Sequence, residues 1–260
     1  MPDVILGIDT STQVCVGLAR DGEPVLSVSV GDSHSHVEML MCTVRDVLDQ
    51  AKVTVSELTG IAVGMGPGPF TGLRVGIVAA QVLAWTRQIP LYHVCSLDVL
   101  GASWALTNPQ GNFVACTDAR RKELYWAEYD RLGHRTAGPF VSAPSELPDL
   151  PAVGPGTVVY PQVKMDSYLA IKLGLWTDGM ASDWPRPEDV GEVVGIDAGL
   201  LAARAPGLPD AGPSPLYLRY ADAALPGQVK SVLPARTPLP KQGSPDGDLA
   251  DAEAASEVGQ

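Results

Sequence analysis

At 260 residues the chain is long enough for one large domain or two modest lobes, and with 45% hydrophobic and 18% charged residues it has an ordinary globular composition. A formal net charge of -12 sets the average field against phosphate backbones, which speaks against stand-alone nucleic-acid binding. Cys15, Cys42, Cys95 and Cys116 form no C-x-x-C pair and no zinc-like spacing, so each is expected to be a buried free thiol. Met1-Pro2-Asp3 leads directly into a strand-like run, and no apolar stretch reaches the ~20 residues that span a bilayer, so a cytoplasmic protein with no membrane partner is expected.

In chain order, Val4 to Ile8 reads as a buried strand, followed by strands from Val14 to Ala19 and Val25 to Val30 around the Asp21-Gly22 turn. Ser35 and Glu38 form an S-x-x-E capping box opening a helix with apolar residues at Val37, Leu40, Met41, Val44, Val47, Leu48 and Ala51. Leu58 to Gly64 reads as a parallel strand feeding a Gly/Pro turn and a second helix from about Thr71 to Thr86. Leu91 to Cys95 is a further strand, and Ser96 is placed to cap a third helix running to about Leu106. This β-β-β-α-β-α-β-α order, a meander followed by crossovers, is the pattern of an RNase H-like or actin-like lobe.

After Asn108-Pro109 strands resume at Phe113 to Asp118 and Leu124 to Tyr129, with a turn at Arg131 to His134. Pro and Gly become frequent from Pro139, predicting short elements. A helix is expected from Val190 to Ala205 and a terminal strand from Pro215 to Tyr220. The expected division is residues 1–106 as the first lobe, 107–223 as a smaller, degenerate second lobe, and a disordered Pro-, Asp- and Ala-rich tail over 224–260.

The most unusual stretch is Gly64 to Gly76, which enters the second helix. It lacks Gly-Lys-Ser/Thr, its third expected glycine falls at Thr71, and Pro67 and Pro69 remove two amides, so a phosphate loop is poorly supported. The helix it opens is apolar nearly all round, which requires cover on both faces. Gly72 and Gly76 would let a second backbone approach, and either the preceding helix or another chain could supply the cover. Asp9-Thr10-Ser11 at the end of the first strand could face a nucleotide, or simply satisfy its own turn. His34 and His36 do not share a helical face, and His93 and His134 stand in a strand and a turn, so no metal set emerges. Asp118 to Glu123 is a compact charge cluster, either a solvated hairpin or a basic spot facing the cleft between lobes.

These segments together resemble the bacterial TsaB family, a paralogue of TsaD in the actin-like ASKHA superfamily. The residues that carry the resemblance are Ile5 to Thr12, His34-Ser35, Gly66 to Gly76, Ser96-Leu97-Asp98, Asp118 to Arg121, and Pro215 to Arg219. Pro69 departs from the serine usual there. The resemblance implies an actin-like/RNase H-like two-lobed fold and a non-catalytic role beside the transferase TsaD and the ATPase TsaE in forming N6-threonylcarbamoyladenosine in tRNA. It implies no intrinsic cofactor, weak ATP or ADP binding at a partner interface, tRNA reached indirectly through the complex, and a homodimer in isolation; direct tRNA contact stays open, with the acidic balance set against it.

The TsaD metal pair would fall, by order, at Ser96 and Leu100, which cannot replace two imidazoles. Because the family pairs through the first lobe's two helices, the resemblance points to His34, Ser35, Leu40, Met41, Thr71, Gly72, Arg74, Val75, Gly76 and Val78 as the contact surface. Asp9, Thr10, Ser11 and Arg120 are the candidate nucleotide-facing residues. Two competing readings remain. A stand-alone ASKHA kinase or ATPase needs a second phosphate loop that the sequence lacks, and a metallopeptidase needs metal ligands where Ser96 and Leu100 stand.

Overall fold

The computed structural model describes residues 2–31, 36–107, 109, 111–160, 163 and 195–219. The Ser35–Glu38 capping box, His34, Ser35 and the 224–260 tail lie outside the described residues or side chains.

All six residues of Val4–Asp9 (β1) are buried, which is why this run is apolar without a polar alternation: it is covered on both sides. Val14–Arg20 (β2) and Glu23–Val30 (β3) extend it as an antiparallel meander. Gly60–Gly64 (β4) and Leu91–Val94 (β5) add parallel strands on the other flank, giving the order β3-β2-β1-β4-β5. His36–Ala51 (α1) and Phe70–Arg87 (α2) cover one face. There Leu6, Ile8, Val16, Leu18, Ile61 and Val63 meet Leu40, Val44, Val47, Leu73, Ile77 and Ala80.

The second sheet is built from Phe113–Asp118 (β6), Leu124–Tyr129 (β7), Arg135–Ser142 (β8) and Ala152–Val153 (β9) in the order β8-β7-β6-β9. Ser96–Ala105 (α3) is a shared layer: Leu97, Leu100 and Trp104 join Ile5, Cys15 and Ala62 of the first sheet and Phe113, Ala115, Ala127 and Tyr129 of the second in one core. Gly156–Val159 (α4) adjoins β6.

The rear of the first sheet is closed by Ala198–Arg204 (α5), whose N-cap Asp197 accepts the Leu200 amide at 3.0 Å. Gly7 and Gly17 are directly paired across β1 and β2, and together they form a trough for its first turn. A Cβ at Gly7 would collide with the Ala198 carbonyl, and one at Gly17 with the Gly199 backbone.

The elements predicted over residues 1–106 appear in order, and four details of the chain differ from expectation. Ser96 is the first residue of α3, and Cys95 is the cap. The helix expected from Val190 runs only from Ala198, because Asp197 begins it; residues 190–194 lie outside the described set. Residues 215–219 are not a strand: the segment leaves the sheet, and its Leu216 amide donates to the Met65 carbonyl at 2.8 Å. Finally, β8 continues for eight residues through Pro139.

Gly7→Ala is expected to cost about 1–3 kcal/mol in urea unfolding, because backbone rather than a movable side chain blocks the added methyl. Gly111→Ala, with nothing within 4 Å of its Cβ position, should stay within about 0.5 kcal/mol of the parent chain. Equal stabilities for the two variants would remove the trough as the determinant of how α5 seats.

Candidate functional site

The turn after β1 sits between α2 and α3. Asp9 Oδ1 accepts the Ser11 amide at 2.8 Å and the Ser11 hydroxyl at 2.6 Å, while Oδ2 accepts the Ser96 hydroxyl at 2.5 Å. Ser96 Oγ also accepts the Gly66 amide at 3.1 Å, joining the glycine-rich loop to the start of α3. Thr10 Oγ1 donates to the Gly72 carbonyl at 2.8 Å and accepts the Gly76 amide at 3.2 Å. Asp9, Thr10 and Ser11 are all buried. Burial pushes the Asp9 carboxyl above the ordinary carboxylate range, opposed in part by its Ser11 and Ser96 donors.

The polar atoms of Asp9, Thr10 and Ser11, the residues expected to face a nucleotide, are hydrogen-bonded within the chain, to their own turn and to the two flanking helices. Gly72 and Gly76, expected to admit a second backbone, pack against Thr10 of this chain. Leu40 is likewise a core residue, 1% exposed. Ser96 and Leu100 are both buried. No group of three or more His, Cys, Asp or Glu suited to a metal occurs among the described residues.

The outer face of α2 is the reverse of its inner one. Gly72, Leu73, Gly76, Ile77, Ala80 and Ala84 point inward, whereas Thr71, Arg74, Val78, Gln81, Val82 and Trp85, spaced three and four apart, face outward. Val78 is 54%, Val82 55% and Trp85 77% exposed. The cover expected on both faces is therefore not supplied within the described residues; α1 packs beside α2 rather than over it, and leaves its own Met39 and Met41 exposed. Of the contact residues expected from sequence, Met41, Thr71, Arg74 and Val78 are exposed and Val75 is half-buried. Val82 and Trp85, outside the expected contact set, are exposed on the same face.

At the start of α2 the Phe70 and Tyr217 rings lie 4.8 Å apart. The Arg74 guanidinium sits 3.8 Å over Phe70, and Arg74 Nε donates to the Tyr217 hydroxyl at 3.1 Å. Sequence order separates these residues too widely for this cluster to be foreseen.

Two further polar groupings lie elsewhere. Asp98 Oδ1 accepts Tyr129 Oη at 2.8 Å and pairs with Arg135 Nε at 3.1 Å, tying α3 to the second sheet. Arg120, Arg121 and Lys122, at the exposed tip between β6 and β7, all adopt left-handed backbone, with φ of 60°, 54° and 63°. This costs roughly 1 kcal/mol or more per residue. Arg120 thus belongs to a hairpin tip and pairs with Asp118 at 3.4 Å. Of the four free thiols, Cys15, Cys95 and Cys116 are buried and pushed up to about 12 by burial, but Cys42 is exposed on α1, contrary to expectation.

Comparison with known proteins follows this architecture. A family model described as TsaD, tRNA N6-adenosine threonylcarbamoyltransferase, matches residues 32–173. The solved YeaZ from Pseudomonas aeruginosa is 31% identical, with a TM-score of 0.56, and the match covers 83% of this chain and 100% of that one. The Escherichia coli tRNA threonylcarbamoyladenosine biosynthesis protein TsaB is 35% identical over 128 residues, 49% of this chain and 55% of the relative. The chain belongs to the TsaB family. Its fold is accordingly the actin-like/RNase H-like one expected from the order of its elements. An uncharacterised Mycobacterium leprae protein is 40% identical over 161 residues, 60% of this chain. The match spans 42% of the M. leprae protein and about half of E. coli TsaB.

Folded Asp9 keeps its proton to higher pH than the unfolded chain, so its contribution to stability falls as pH rises above about 4. Ser96→Ala removes the Oδ2 donor and should cost about 1–3 kcal/mol near neutral pH. That deficit should shrink as pH falls and the buried carboxyl takes up its proton. Urea titrations of both chains across this range check it, and a deficit independent of pH would show that Asp9 is not the group responsible.

Proposed function

We propose that this chain is the non-catalytic partner of a TsaD-type transferase in forming N6-threonylcarbamoyladenosine in tRNA, acting in the cytoplasm with the ATPase TsaE. The observation that carries the reading is the outer face of α2: Val78, Val82 and Trp85 stand exposed on a helix whose inner face is already satisfied. An apolar stripe of this kind on an otherwise well-packed domain suits a protein surface. A paralogous chain presenting its own first-lobe helices would cover it, and in isolation a second copy of this chain would do the same.

The silent role is consistent with the inward use of the turn after β1. Asp9, Thr10 and Ser11 are committed to internal hydrogen bonds, and Ser96 and Leu100 are buried. Family likeness supplies the pathway, since the E. coli relative is named for threonylcarbamoyladenosine biosynthesis. No helix of the described residues is long and apolar enough to cross a membrane.

The test is reconstitution from TsaD, TsaE, tRNA, ATP and threonylcarbamoyl-adenylate, with and without this chain. Modification is expected only when it is present, and not when it replaces TsaD; equal modification without it would overturn the role. Val78→Glu with Val82→Glu should weaken pairing with TsaD by at least about 30-fold, roughly 2 kcal/mol. These exposed substitutions should leave the unfolding free energy within about 0.5 kcal/mol per site. Undiminished co-elution of the double variant on gel filtration would place the pairing surface elsewhere.

A further inference from the structure

The tip of the β6–β7 hairpin is built in a way that mere solvation does not require. Three successive cationic residues, Arg120, Arg121 and Lys122, occupy left-handed backbone, where Gly, Asn or Asp would sit with least strain. The turn is also held from several sides. Asp118 Oδ1 accepts the Arg120 amide at 2.8 Å and the Tyr160 hydroxyl at 3.0 Å. The Glu123 amide donates to the Arg120 carbonyl at 3.0 Å, and the Ala119 amide to the Glu123 carbonyl at 3.0 Å. From the C-terminal segment, Arg219 pairs with Glu123 and donates to the Arg120 carbonyl at 3.4 Å.

Asp118 pairs with Arg120 and Glu123 with Arg219, and residues 120–122 are all exposed. We propose that Arg120, Arg121 and Lys122 form a preorganised contact for the phosphate backbone of RNA, so that this chain touches the tRNA itself. The proposal rests on the reading that the chain works within a tRNA-modifying assembly. It runs against the net charge of -12, which sets the average field of the chain against phosphate. That average does not decide the matter. At physiological salt the Debye length is about 8 Å, so distant acidic residues are screened while a phosphate at the tip is not. Guanidinium groups on a fixed turn also match phosphate geometry with little side-chain ordering left to pay.

The test uses the assembled complex of this chain with TsaD and unmodified tRNA. Co-elution of the parent chain with TsaD is established first, so loss of assembly, which would count against the proposed function, is scored separately. Replacing Arg120, Arg121 and Lys122 together by Gln should leave assembly intact and weaken tRNA binding at least about tenfold at low salt. The slope of log affinity against log salt should become shallower by about two, as fewer counterions are released. Arg120→Lys with Arg121→Lys should restore most of the affinity. In the unsubstituted complex, tRNA should protect Lys122 from acylation, read by mass spectrometry. Unchanged affinity and slope in an assembled variant, or unprotected Lys122, would overturn the proposal. So would loss of TsaD binding by the folded Gln variant, which would assign the tip to the protein interface.

Discussion

The carboxylate of Asp9, sealed at the end of the first strand, holds together the three elements on which the front of the molecule depends. Its two oxygens accept three hydrogen bonds, two from the turn that follows it and one from the first residue of α3. Ionising a carboxyl in such a place costs several kcal/mol in lost hydration, and hydrogen bonds to a charged group return about 1.5–3 kcal/mol each. The two sides come out comparable, so the network's weight falls on geometry more than on net stability. With Ser96 fixed, the glycine-rich loop is fixed through Gly66; with Thr10 fixed, the first turns of α2 are fixed through Gly72 and Gly76. The orientation of the exposed helix face thus begins at a residue that face never touches.

That chain of contacts divides α2 into two surfaces of different chemistry. Small and branched residues face inward because Thr10 and the sheet lie close; large apolar ones face outward without a partner in the described chain. Sequence alone registers only that the helix is apolar all round. It cannot tell which side its own fold covers, because that depends on where α1 settles. Leu40, Gly72 and Gly76 thus fall on the buried side of these helices, and Val82 and Trp85 on the exposed one.

Periodicity and turn residues made the first lobe legible nearly element by element, since each strand or helix there carries its own apolar pattern. The second half was less so. The Asp98–Arg135 pair and the packing of Tyr217 against Phe70 join residues far apart in sequence, with no local signal to announce either. In the Asp9 turn both an outward and an inward use were open, and the inward one is observed. Three left-handed residues at the β6–β7 tip also contradict local preference, since none is Gly, Asn or Asp. Conflicts of that kind tend to mark places where something other than stability has shaped the choice.

The trough made by Gly7 and Gly17 bears on the order in which this molecule is completed during synthesis. Its occupant, the first turn of α5, lies roughly 190 residues further along the chain. At translation rates of about 5–20 residues per second, the earliest strands wait on the order of ten seconds or more for it to emerge. During that interval their rear face has Ile5, Cys15 and Ala19 without Leu201 and Ala202 to meet them. A nascent chain in this state is open to a chaperone or to strand-edge association, so for this fold the hazardous period is the stretch of synthesis before α5 arrives.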